Sequence, residues 1–231
     1  MLRVEGEFNF SRLINRGVAE STGDLLLLLN DDIEANDESS QWLGCMVGQL
    51  LEPGVGVVGP RLRYPDGRLQ HAGIYAGMAS GVAHRYKHLP RHSRSYHGRA
   101  ELAQTVFAVT GACLLIRRTH FEQVGGLDEV TFPITYNDVD LCLKVRERFG
   151  ARTVYVPAAT LTHAESVSRG RDEADPAKLA RQRKALEALY ERWPCIARLD
   201  PAHSPNLGDD AARLDLRWPP AWPEPLSGLL A

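Results

Sequence analysis

The chain has 231 residues, a length that admits one large domain or two small ones at about 150 residues per domain. Apolar residues make up 44% and charged residues 24%, the balance of a soluble globular chain, which excludes a wholly disordered or fibrous protein. With 27 Lys and Arg against 29 Asp and Glu, the formal net charge is -2, so a nucleic acid is excluded as a partner unless a local patch holds it.

In chain order, Phe10, Leu13, Ile14, Gly17 and Val18 recur at helical spacing, with Gly23 as the stop. Leu25 to Leu29 follows as a short apolar run between Gly-Asp and Asn-Asp-Asp, which predicts a fully buried strand of a parallel sheet. It is the longest purely aliphatic run, far short of the roughly 18–20 residues that span a bilayer, and no charged-then-apolar leader precedes it. Trp42, Leu43, Met46, Val47, Leu50 and Leu51 predict a helix that stops at Pro53-Gly54, and Val55, Val57 and Val58 predict the next strand. Strand, helix and strand in this compass make a βαβ unit of an α/β sheet.

Pro65-Asp66-Gly67 predicts a hairpin turn. Residues 68–100 contain no Asp or Glu but carry His71, His84, His88, His92 and His97 with Arg85, Lys87, Arg91, Arg94 and Arg99. A long exposed loop is the expectation there, with phosphate or an acidic acceptor as the ligand class such a loop can meet. Strand character returns over 104–116, then a short helix up to Gly125-Gly126. A helix over 137–149 takes Asn137 as N-cap and Gly150 as C-cap, followed by strands at 153–156 and 160–162 and a charged helix over 176–192. Seven of the 14 prolines fall over 194–225, which predicts an extended strap. Cys45, Cys113, Cys142 and Cys195 form no CxxC pair, so a reduced, cytoplasmic setting is expected.

Four groups can carry chemistry. Asn30-Asp31-Asp32 follows the buried strand, where side chains at strand C-termini face the ligand crevice of open α/β sheets. Adjacent carboxylates there suit a divalent cation or serve as ordinary Asp-rich turn chemistry. Asn137-Asp138-Val139-Asp140 opens a helix, whose dipole favours an ionised carboxylate, as a general base must be, or simply first-turn acidic enrichment. Asp138 and Asp140 lie about 200° apart on a helix, so at most one faces a given site. His163 ends a strand and gains meaning only by converging with Asp32. Thr110-Gly111-Ala112-Cys113 permits close backbone approach by a ligand, or tight sheet packing.

The stretches FNFSRLINRGVAESTGDLLLLLNDDIEA, VTGACLLIRRTHFEQVGGLDE, YNDVDLCLKVRERFGARTVYVP and LTHAESVS together resemble family 2 glycosyltransferases of GT-A fold, of the bacterial polysaccharide and O-antigen, rhamnosyltransferase-like type. The tail words LDPAHSPNL resemble a common ending of such enzymes. The resemblance implies an α/β, Rossmann-like mixed sheet flanked by helices over 1–168, with a C-terminal helix and proline-rich extension over 169–231. It implies Asp32 as the direct Mg2+ or Mn2+ ligand, His163 beside the metal and diphosphate, Asn30 and Asp31 at the sugar or ribose, and Gly111 and Ala112 lining the donor-sugar and acceptor site. Asp138 takes the place of the catalytic base, and Asn137 replaces the usual Glu before it. The implied partners are a UDP-, GDP- or dTDP-sugar donor and a glycan or lipid-linked acceptor, with peripheral association at the inner face of the membrane. Family members begin with a nucleoside-gripping strand ahead of the segment near Phe8, which residues 1–7 cannot supply. The expectation is therefore an N-terminally truncated domain with an exposed apolar edge and weak nucleotide-sugar binding. Non-catalytic glycan binding or partnering is the alternative, and a metal-dependent phosphohydrolase using Asp31, Asp32, Asp138 and His163 is a third reading.

Overall fold

A computed structural model describes residues 5–35, 40–78, 81–93, 95–164 and 176–197, with positions 200, 204, 206–207 and 216–219. Its elements in chain order are α1 (Phe10–Ala19), β1 (Leu25–Leu29), β2 (Ile33–Glu34), α2 (Trp42–Leu51), β3 (Val55–Arg63), β4 (Leu69–His71), β5 (Ile74–Met78), β6 (Gly81–His84), β7 (Gln104–Val106), β8 (Cys113–Arg117), α3 (Arg118–Gln123), α4 (Asn137–Phe149), β9 (Arg152–His163) and α5 (Pro176–Arg192). Among the described residues, one seven-stranded sheet runs β1-β8-β3-β9-β2, with β4 beside β3 and β7 beside β9, while β5 and β6 pair separately.

The sheet is mixed. Only β3 and β9 run parallel, and the other pairings are antiparallel. This corrects the expectation of a fully buried β1 in a parallel sheet. β1 lies at one end of the strand order and pairs antiparallel with β8, Leu25 opposite Arg117 and Leu29 opposite Cys113. Leu26 and Leu28 are buried but Leu29 is 44% exposed. The β1–α2–β3 unit persists with β8 inserted between its strands. An aliphatic run reports burial; it carries no information on the direction of a partner more than eighty residues away.

Period-2 alternation divides the core. Leu114 and Ile116 of β8 join the cluster under α4, whereas Cys113 and Leu115 join the cluster under α2 with Met46 and Leu50. Gly56 of β3 lets α4 sit directly on the sheet, since a Cβ built there would come within 2.6 Å of Val145. Helix α1 ends at Ala19, short of Gly23, because Ser21 takes the Val18 carbonyl through both its N–H (3.1 Å) and its Oγ (2.9 Å).

The acid-free stretch departs most from expectation. Residues 68–100 are not one exposed loop: they supply β4, β5 and β6, and His71, Tyr75, Arg85 and Tyr86 are buried. The Arg85 guanidinium lies 4.4 Å from the Tyr75 ring centre and 5.9 Å from that of Tyr86. The buried Asp200 carboxylate adds a favourable field at Arg85 and accepts the Ala76 N–H at 3.1 Å. Aromatic faces and one distant carboxylate offset part of the desolvation of this cation, which still lowers its pKa, and a local charge count cannot show either. Arg94 lies outside the described residues.

The Pro65-Asp66-Gly67 turn joins β3 to β4 as expected, with the Gly67 N–H on the Tyr64 carbonyl at 2.8 Å. Residues 107–112 separate β7 from β8 where continuous strand character was expected. The two late strands are one, β9, whose pairing with β3 shifts between Pro60 and Arg61. Helix α4 has its left-handed Gly150 cap, but its N-cap is Tyr136 and Asn137 is its first residue. The 168–169 boundary, the Ser166–Ser168 end of the fourth matching stretch and most of the proline-rich tail fall outside the described residues.

Helix α5 docks on α4 through charge. Asp140 is fully buried and receives Arg192 Nη1 at 3.1 Å, Trp193 Nε1 at 2.9 Å and Lys144 Nζ at 3.2 Å. Arg192 Nη2 also reaches Asp128 at 2.7 Å. Burial alone pushes the Asp128 carboxyl up, but the Thr131 N–H, the Arg192 guanidinium and the Val130 N–H together hold it well below the usual carboxylate range. Asp140→Ala removes the shared acceptor and leaves Lys144 and Arg192 without it. Because those two cations are partly exposed and Arg192 keeps Asp128, a loss of about 2–3 kcal/mol in denaturant unfolding is expected; a loss under about 1 kcal/mol is the behaviour of a surface pair and would refute the buried-cluster account.

Candidate active site

The turn after β1 brings Asp32 to the end of β9. The Asn30 N–H bonds the Ala112 carbonyl at 2.9 Å, the Ile33 N–H bonds the Asn30 carbonyl at 3.3 Å, and Ile33 pairs with His163. The Ala164 N–H closes the turn on the Asp32 carbonyl at 3.1 Å. Asp32 Oδ1 then lies 3.0 Å from His163 Nε2, while Asp31 is exposed.

The bonds around His163 fix the orientation of its ring. Gln70 Nε2 donates to the His163 carbonyl at 3.4 Å, and Gln70 Oε1 lies 2.7 Å from His163 Nδ1, so the ring proton sits on Nδ1. Nε2 faces Asp32 Oδ1, a buried oxygen, at 3.0 Å. Two lone pairs at this separation repel unless a proton or a cation lies between them. Imidazole and carboxylate suit Mn2+, and cis ligands at 2.0–2.1 Å from an octahedral ion stand about 3 Å apart, so the pair fits a divalent cation. Among the described residues no third His, Cys, Asp or Glu joins it, so the remaining positions fall to water or substrate oxygen.

Asp138 stands in the first turn of α4. Its Oδ2 accepts the Gly111 N–H at 2.9 Å and its Oδ1 accepts the Val139 N–H at 2.8 Å. Burial raises the carboxyl pKa above the ordinary aspartate value, and these two N–H groups oppose the rise without cancelling it. Phe10 lies against the same spot: a Cβ at Gly111 would be 3.5 Å from Asp138 Cβ and 3.6 Å from the Phe10 ring. Gly111 thus leaves a small open space beside the carboxylate. Asn137 is 4% exposed and its Nδ2 points at the Phe132 carbonyl, 3.4 Å away, so it supports the loop entering α4.

The three-residue segment Thr110–Gly111–Ala112 joins the two halves. Its Gly111 N–H holds Asp138, and its Ala112 carbonyl holds the turn of Asp31 and Asp32. Sequence reasoning missed what lies behind it. Thr110 N–H reaches His71 Nε2 at 3.5 Å, and His71 Nδ1 lies 3.0 Å from His84 Nδ1. Burial, with His84 and His163 nearby, holds His71 well below the usual histidine value, so it remains neutral. Gln70 and His71 share one short strand, β4. The signal available was their place directly after the Pro65-Asp66-Gly67 turn.

A sequence profile described as glycosyltransferase like family 2 matches residues 3–186. The chain belongs to glycosyltransferase family 2. Among its relatives, the O-antigen biosynthesis protein RfbC of Myxococcus xanthus is 36% identical over 91% of this chain and 16% of its own length. An uncharacterised protein of Sinorhizobium fredii is 43% identical over 90% of this chain and 22% of its own length. An N-acetylglucosaminyl-diphospho-decaprenol L-rhamnosyltransferase of Mycobacterium tuberculosis is 32% identical over 75% of this chain and 61% of its own length. The chain thus spans about a fifth of the first two of these relatives. The fold is that of GalNAc-T7 solved with UDP, GalNAc and Mn2+ (TM-score 0.57, 14% identity, 80% of this chain and 36% of that one). It is also that of a Pyrobaculum calidifontis mannosyltransferase solved with GDP-Man and Mn2+ (TM-score 0.50, 16% identity, 79% and 43%). The expected GT-A architecture is therefore the one observed.

For this family 2 domain, Gln70 is the residue that orients His163. Outer partners of metal-bound histidines typically govern about 10–100-fold of metal affinity. Gln70→Leu is expected to weaken Mn2+ binding in titration calorimetry by that range, with the melting transition retained. An unchanged Mn2+ affinity counts against the orienting role.

Proposed function

We propose that the chain carries the catalytic centre of a transferase that moves a sugar from a nucleotide-diphosphate donor to a hydroxyl of a glycan or lipid-linked acceptor, with inversion, in cell-surface polysaccharide synthesis. The observation that carries this reading is the Thr110–Ala112 segment, bonded at one residue to Asp138 and at the next to the turn bearing Asp32. A base and a cation-suited pair are thereby held within one rigid frame. The names of the O-antigen and rhamnosyltransferase relatives support the pathway class and a deoxysugar-type donor. Two structural neighbours bound to UDP or GDP-Man with Mn2+ support the donor class. A lipid-linked acceptor places the work at the inner face of the membrane, although among the described residues no helix is long and apolar enough to cross one.

Asp138 accepts the proton of the acceptor hydroxyl as that oxygen bonds the anomeric carbon, and the bond from that carbon to the diphosphate oxygen breaks with its electron pair. Direct displacement of this kind inverts the anomeric centre. Backbone N–H groups of Gly111 and Val139 keep the carboxylate aimed, and its raised pKa makes it a stronger base than a solvated aspartate. Asp32 and His163 would hold Mg2+ or Mn2+, which when bound would supply charge neutralisation to the departing diphosphate. Asp31, exposed beside Asp32, and Asn30 are the contacts proposed for sugar or ribose, with Gly111 and Ala112 forming the floor.

Asp138→Asn is expected to lower turnover by about 10²–10⁴-fold with donor binding intact, whereas Asp32→Asn should abolish the metal dependence of donor binding. Transfer that survives Asp138→Asn unchanged would overturn the assignment of the base, whereas its loss excludes the non-catalytic reading. The pH dependence has a defined sign. An acid with a raised folded pKa must lose its proton to act, so kcat/KM rises with pH through an acid limb above the ordinary aspartate value of about 3.9. The same shift means that ionising Asp138 costs the native state stability as pH rises through that limb.

A further inference from the structure

A second feature gathers cations on the far side of the β3–β4 turn. Arg61, Arg63, Arg91 and His92 line a groove of about 500 Å³ together with Thr160 and Thr162; the Thr160 hydroxyl is itself engaged, donating to the Pro157 carbonyl at 2.8 Å. It opens where β3 and the parallel β9 end, Arg63 opposite Thr162, so its lining residue Thr162 directly precedes His163.

Two of the guanidiniums are preset. Arg61 Nε donates to Thr160 Oγ1 at 2.8 Å with its side chain 14% exposed, and Arg63 Nη1 donates to the Gly67 carbonyl at 2.9 Å. The stem of Arg91 crosses Gly67, where a Cβ would come 3.4 Å from Arg91 Cδ. The two carboxylates at the groove are each bonded to one arginine: Glu101 to Arg61 at 2.7 Å, and Asp66 at 2.7 Å to Arg68, which is outside the lining. Among the described residues the lining thus holds three arginines against two carboxylates. Burial first, and then the field of Arg61, lower the Arg63 pKa, while Glu101 and Tyr155 oppose that fall. Crowding of arginines costs stability unless an anion offsets it, and guanidinium forks with an adjacent hydroxyl match phosphate oxygens.

We propose that this groove is an anion subsite for a phosphate group on the glycosyl acceptor, separate from the donor diphosphate at Asp32 and His163. This rests on the transferase reading for the word acceptor; the anion site itself stands on the groove alone. A phosphate held there lies beside the last residues of β9, on the face of the strand that bears Thr162. The acid-free composition of residues 68–100 gains a purpose on this account, because Arg91 and His92 come from it.

The test uses inorganic pyrophosphate, the full 231-residue chain and calorimetry in EDTA, so that no divalent cation populates the other site. Arg63→Gln with Arg91→Gln is expected to weaken pyrophosphate binding by about tenfold or more, with an unchanged melting transition, while Asp32→Asn leaves it within about twofold. Binding indifferent to the arginine pair, or lost in Asp32→Asn, overturns the proposal. Donor binding is then measured with Mn2+: the arginine double variant should keep it, and a matching loss there shows that the groove serves the donor and refutes the acceptor assignment. Failure of Mn2+-dependent donor binding by the unaltered chain speaks against the transferase reading alone, since the pyrophosphate arm does not depend on it.

Discussion

A carboxylate with no access to water sets the geometry of α4. Asp140 lies inside α4 at full burial and is satisfied only by Arg192, Trp193 and Lys144. Because the charge cannot stay buried unpaired, α4 has one rotational setting in which that face meets the end of α5. Residues two apart on a helix diverge by about 200°. Fixing Asp140 toward α5 therefore turns Asp138 to the opposite side, onto the Gly111 N–H. The sheet restrains the same helix from below, through Gly56 and Val145. Two aspartates that look equivalent in the chain thus divide into a structural anchor and a carboxylate held on the Gly111 N–H.

A second constraint concerns direction along the sheet. β3 and β9 are parallel and end together, so the residues after them share one edge of the molecule. β2 returns antiparallel on β9 and delivers Asp32 opposite the strand end that bears His163. β4 turns back from β3 and delivers Gln70 and His71 to the same edge. Polar side chains that are far apart in the chain meet there without any long-range motif. The burial of His71 and its contact with His84 reach back to the β5–β6 hairpin, which Asp200 ties down at Ala76.

Much of this was legible beforehand, and the reason is local. Helix α5 and the Gly150 cap of α4 appear as read, because periodicity, proline and glycine act within a few residues. The β3–β4 turn follows from Pro65-Asp66-Gly67 in the same way. The reading of residues 68–100 failed for the converse reason. High charge predicts solvent only when no distant group offsets burial, and Arg85 has Tyr75, Tyr86 and Asp200.

The sequence by itself determined the class of sheet-and-helix architecture, the family, and the residue types available for proton transfer and cation binding. Those follow from composition, spacing and side-chain chemistry, which need no partner. Tertiary structure alone decided that β1 runs antiparallel to β8, that Asp138 and not Asp140 meets Gly111, and that His163 meets Asp32 through an orientation imposed by Gln70. Each of these is a pairing between segments separated by tens of residues. The free energy that selects one pairing lies in burial and hydrogen bonding that exist only once the chain has closed.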